Sequence, residues 1–92
     1  MAKATLILHT RDALGDGFVE MVIWSVPKAV SPSRHRFKYR LVYIVHGVRV
    51  VGYDNERGKG DHKHIGGHEV PYRWRGVDGL LDDFIGDVEA LK

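Results

Sequence analysis

The chain has 92 residues, which is room for a single domain (1–92) with one core. It contains no cysteine, which excludes disulfides, thiolate metal sites and a cysteine nucleophile, and it has no apolar run of about 18 residues to suggest a membrane span. The net charge of +2 hides an uneven spread: ten Lys/Arg against four Asp/Glu lie between residues 34 and 75, and one Lys against five Asp/Glu beyond them.

A basic middle of this kind attracts a polyanion, and an acidic end repels one. The chain does not open on a basic region followed by an apolar stretch, so a cytoplasmic location is expected. A core this small has little margin, which leaves a homodimer open.

Residues 4–10, with Leu6, Ile7 and Leu8, read as a first strand. A turn at Leu14-Gly15-Asp16-Gly17 leads into a second strand over 18–26, rich in β-branched and aromatic side chains. Two prolines and two serines make 27–34 a loop. A third strand over 36–45 and a fourth over 48–53 flank the tight turn His46-Gly47. Residues 54–67 are glycine-rich and charged and read as a long functional loop. A short fifth strand is expected over 70–74.

Beyond it, Val77, Leu80, Leu81, Phe84, Ile85, Val88 and Leu91 fall on one face of a helix, with acidic residues between them. The expected fold is therefore α+β: an antiparallel meander of four or five strands with one C-terminal amphipathic helix packed on a face.

Two segments carry chemistry. Arg34, Arg36, Lys38 and Arg40 recur at every second position, so a strand lines them along one face with Phe37, Tyr39 and Leu41 on the other. Such a stripe is either a solvated sheet face or a surface that tracks a nucleic-acid backbone. The second segment, 53–64, holds Asp54, Arg57, Gly58, Lys59, Gly60, Asp61, His62 and His64. Imidazoles titrate near neutral pH and suit proton transfer, while Arg57 and Lys59 neutralise phosphate. Asp54 and Asp61 are placed to orient an imidazole, and Tyr72 is a candidate acid. The glycines do not match the spacing of a nucleotide-binding P-loop, which excludes that reading.

These are the parts of metal-free RNA cleavage: a base for the 2′-hydroxyl, cations for the charged transition state, and an acid for the leaving oxygen. The residue reading assigns His62, His64, Asp54, Asp61 and Tyr72 to catalysis. It assigns Arg36, Lys38, Arg40, Arg57 and Lys59 to phosphate, with no cofactor. An alternative reading has a divalent metal held by Asp61, His62, His64 and His68, and another has a non-enzymatic module that binds RNA or a ribosome.

The segment Tyr53-Asp54-Asn55-Glu56-Arg57-Gly58-Lys59-Gly60-Asp61-His62-Lys63-His64-Ile65, with Glu69-Val70-Pro71-Tyr72 after it, resembles the TumE-type toxins of bacterial and archaeal toxin–antitoxin pairs. The stretches Glu20–Trp24, Ser33–Arg40 and Leu81–Glu89 carry the same resemblance, which spans nearly the whole chain. It implies a small cytoplasmic toxin that cleaves RNA, with a cognate helix-turn-helix antitoxin as partner. It does not itself assign catalytic residues.

Overall fold

A computed structural model describes residues 3–91. It contains β1 (Thr5–Leu14), β2 (Gly17–Ser25), β3 (Phe37–Val45), β4 (Val48–Glu56), β5 (Gly60–Ile65), β6 (His68–Pro71) and α1 (Gly76–Leu91). The strands form one antiparallel sheet in chain order, β1 to β6, each paired with the next. The expectation of an antiparallel meander with a single C-terminal helix holds, but the sheet has six strands rather than four or five.

The extra strand comes from the segment read as a loop. β4 runs on through Glu56, the chain turns at Arg57–Lys59, and β5 returns in register with Asp54 opposite His62 and Gly52 opposite His64. The last strand also starts earlier than expected, at His68. The first hairpin is tighter than the sequence suggested, since Leu14 pairs directly with Gly17 and Gly15 takes the left-handed conformation that glycine tolerates.

Alternation in β3 and β4 sorts the side chains between two faces. Tyr39, Leu41, Tyr43, Val51 and Tyr53 face α1 and are almost completely buried with Leu80, Phe84 and Val88. The helix packs against β4, and the edge of the Phe84 ring meets the Tyr53 ring at 5.7 Å. The large buried side chains of the helix, Leu80, Phe84 and Val88, are spaced by four residues, as one helical stripe requires. Ile85 and Leu91, which the periodicity also places on the apolar face, remain exposed. No helix among the described residues is long and apolar enough to cross a membrane.

Polar clamps tie the helix face together. Tyr53 donates a hydrogen bond to Asp87, and Lys63 reaches the same carboxylate at 3.2 Å. Tyr72 donates to Asp83 at 2.6 Å, and Arg75 pairs with Asp83 at 2.7 Å. Tyr39 donates to Asp61 at 2.6 Å. Burial first, and then bonding to an anion, pushes all three phenols well above their ordinary pKa. All three therefore stay protonated and serve the fold as hydrogen-bond donors.

Asn55 performs a backbone's task with a side chain. It is fully buried. Its Oδ1 accepts the Tyr39 N–H at 3.0 Å, and its Nδ2 donates to the Phe37 carbonyl at 2.7 Å. The β3–β4 pairing ends at Arg40 and Asp54, so this one amide extends the ladder where the strands part.

Candidate functional site

The face of the sheet turned away from α1 collects the polar residues of β3, β4 and β5. Arg40, Asp54, His62 and Pro71 form one row of cross-strand partners, and Val42, Gly52, His64 and Glu69 form the next. His62 and His64 are two apart on β5 and so share this face, with ring centroids 5.2 Å apart. One side of the cluster opens on a cleft of about 340 Å³ lined by Lys59, Asp61, His62, Glu69, Val70 and Pro71. Lys38 and Arg40 line a second cleft of about 270 Å³ beside Trp24.

His62 is buried, with one ring nitrogen against the Gly60 carbonyl and the other close to Asp54. Its Nδ1 lies 3.0 Å from the Gly60 carbonyl, which can only accept, so Nδ1 carries the proton. Its Nε2 faces Asp54 Oδ1 at 2.5 Å. Gly60 is required here for two reasons. Its φ of +77° favours glycine, and a Cβ would come within 3.1 Å of the Pro32 ring. The loop bearing Pro32 is docked on this turn, with the Gly58 N–H donating to the Ser31 carbonyl at 2.8 Å.

His64 is the more accessible imidazole, with its Nε2 3.9 Å from Glu69. The other Glu69 oxygen lies 3.1 Å from Lys59 and 3.8 Å from His62. The Lys59 bond holds the Glu69 carboxyl below its ordinary pKa and raises that of the lysine. Glu69 was not singled out from the sequence. It lay in the Glu69–Tyr72 stretch of the family resemblance, but its place beside His64 follows from a cross-strand register that needs β6 to be placed first.

The expected site residues therefore divide. Asp54, His62, His64, Lys59, Lys38 and Arg40 share the outer face. Asp61 does not: it alternates with His62 and points toward the helix side, so it neither orients a histidine of the pair nor joins them around a metal. There it accepts from Ser33 at 2.5 Å, His35 at 2.7 Å and Tyr39 at 2.6 Å. Burial pushes this carboxyl up, but those three bonds outweigh it and hold it below the ordinary range. His35 in turn stacks on Trp74 with ring centroids 3.7 Å apart.

His68 pairs with Ile65 and lies exposed on the helix side, so the metal set of Asp61, His62, His64 and His68 is not brought together. Tyr72 is bound to Asp83 beside the helix, away from the histidines. Arg36 precedes β3, Arg57 sits on the β4–β5 turn, and both are exposed. The cationic stripe is thus two residues long on the strand itself. Lys38 is partly spent within the fold, since its ammonium donates to the Asn55 carbonyl at 2.7 Å. Arg40 and Lys59 are the exposed cations beside the cluster.

A protein-family model described as Toxin TumE matches residues 2–92. No curated protein and no solved structure gives a significant match.

Proposed function

The chain belongs to the TumE toxin family, and from that membership and the outer-face cluster we propose a toxin that arrests growth by cleaving RNA. It acts in the cytoplasm and is held in check by a cognate antitoxin bearing a helix-turn-helix domain. One observation carries the RNA reading: Asp54, His62 and His64 lie together beside Arg40 and Lys59 on one accessible face.

Cleavage needs the 2′-oxygen to attack phosphorus as its proton leaves, while the bond to the 5′-oxygen breaks and that oxygen takes up a proton. Arg40 and Lys59 offset the charge that builds on the phosphate oxygens. The acid–base work cannot be shared evenly by two accessible imidazoles, because His62 is buried between the Gly60 carbonyl and Asp54. His64 is the histidine with room to meet a substrate, and His62 with Asp54 is the buried support beside it.

The test is incubation of the full chain with end-labelled RNA, with and without EDTA, alongside His64→Gln and Arg40→Ala. Discrete cleavage by the wild type, a loss of about 100-fold or more in His64→Gln, and weaker, less salt-sensitive binding in Arg40→Ala are expected. Salt-sensitive RNA binding without any cleavage product would replace this reading with inhibition by occupancy.

A further inference from the structure

We propose that Asp54, His62 and His64 form a binding site for a single divalent transition-metal ion. The site shares its face with the ribonuclease reading, but its argument rests on geometry alone.

The first observation is the orientation of His62. Its Nδ1–H is used on the Gly60 carbonyl, so Nε2 is the nitrogen turned toward Asp54 and the one a metal would take. Histidines that ligate metals characteristically donate their other N–H to a carbonyl or carboxylate, which fixes the ring and its tautomer. Gly60 supplies that carbonyl from a left-handed backbone position.

The second observation is the carboxylate. Asp54 Oδ1 is buried and has no hydrogen-bond partner, because the nearby His62 nitrogen does not meet it in hydrogen-bonding alignment. A buried carboxylate oxygen left unmatched is costly. A cation seated between it and His62 Nε2, in place of any proton held there, satisfies both.

The third observation is His64. It is the next residue on this face of β5, and one ligand atom from each of the three side chains falls within 4.8 Å of the others. Metal bonds of about 2.0–2.2 Å place ligand atoms roughly 3–4 Å apart. Binding therefore asks the close Asp54–His62 edge to open by at least about 0.5 Å and the widest edge to contract by about 1 Å. Both are side-chain adjustments.

Two imidazoles and one carboxylate suit zinc, manganese or cobalt better than magnesium or calcium, which prefer all-oxygen shells. Three protein ligands leave a coordination position free. The Glu69 carboxylate, near both imidazoles, is placed to accept a hydrogen bond from a water in that position. An ion of charge +2 facing a single ligating carboxylate leaves net positive charge next to Lys59, which favours an anionic ligand such as a phosphate oxygen.

The experiment is titration of metal-stripped full-length protein with Co²⁺, read by visible absorption, and with Zn²⁺, read by calorimetry. His64→Gln, Asp54→Asn and His68→Gln are compared, with circular dichroism confirming that each folds. One ion per chain is expected, with cobalt bands of a site containing imidazole. Affinity should fall at least 100-fold in His64→Gln and stay unchanged in His68→Gln. His64 is partly accessible, so its variant keeps the test valid should Asp54→Asn fail to fold. No stoichiometric binding, or binding that survives His64→Gln, overturns the site, as does binding lost in His68→Gln. The two readings separate cleanly. Cobalt bound without RNA cleavage keeps the metal site and removes the ribonuclease, whereas cleavage in EDTA by a protein that binds no cobalt does the reverse.

Discussion

Replacing Asn55 with alanine tests the claim that a side chain substitutes for missing sheet ladder. The substitution strips partners from two main-chain groups, the Tyr39 N–H and the Phe37 carbonyl, in a part of the molecule closed to water. Leaving a buried backbone group unmatched costs about 1–3 kcal/mol. The space vacated by the amide lets some solvent in, so a total loss of roughly 2–4 kcal/mol is expected. In a domain of this size that lowers the melting temperature by about 10 °C or more. Equilibrium urea denaturation measures the loss, and the slope of the transition should not change. Amide hydrogen exchange gives a second and local readout: Tyr39 should lose protection while Leu41, inside the regular ladder, keeps it. A stability change under about 0.5 kcal/mol with Tyr39 protection intact would refute the reasoning.

Phe84→Ala removes a fully buried ring lying edge-on to Tyr53 and should cost about 3–5 kcal/mol in the same denaturation assay. Tyr72→Phe removes a bond to Asp83 on the helix side, so it should lower stability by about 1 kcal/mol and leave RNA cleavage and growth arrest unchanged. A large loss of cleavage would return Tyr72 to the catalytic set. Asp61 contributes stability that is present above its unfolded pKa and is lost as pH falls through its lower folded value. The urea midpoint of the wild type should therefore drop on acidification below about pH 4, and less steeply in Asp61→Asn, even though that variant is weaker at neutral pH. Equal slopes for the two proteins would show that the three donors around Asp61 do not select its ionised form.

Elements with an apolar signature were legible from the sequence, and the rest were obscured for a physical reason. The helix announces itself through Leu80, Phe84 and Val88, and the His46-Gly47 hairpin through its turn residues. β5 gives little such signal, because Asp61 and Lys63 take two of its three positions that alternate toward the helix and only Ile65 is apolar. The two polar residues are satisfied by Ser33, His35 and Tyr39 in one case and by Asp87 in the other. Hydrophobic periodicity cannot detect a strand whose inward residues are mostly polar and paired.

The same feature explains the partial reading of the site. His62 and His64 were identified by residue type, but type alone does not say that Asp54 joins them while Asp61 turns away. That distinction follows from a register in which Asp54 faces His62. Glu69 stayed hidden because it matters only through a neighbouring strand.

Because each strand pairs with the next in sequence, a ribosome would deliver the whole meander before it delivers the lid. Until residues 80–88 emerge, Leu41, Val51 and Tyr53 lack the Leu80, Phe84 and Val88 side chains that bury them on the helix side. A nascent chain halted before that point presents an open apolar sheet, the kind of surface that chaperones and proteases act on. The candidate cluster on the opposite face depends on β4 and β5 holding their register, and that register is backed by the helix through Tyr53, Lys63 and Asp87. The histidines and Asp54 are thus synthesised before the helix turn whose Asp87 braces the strands that carry them.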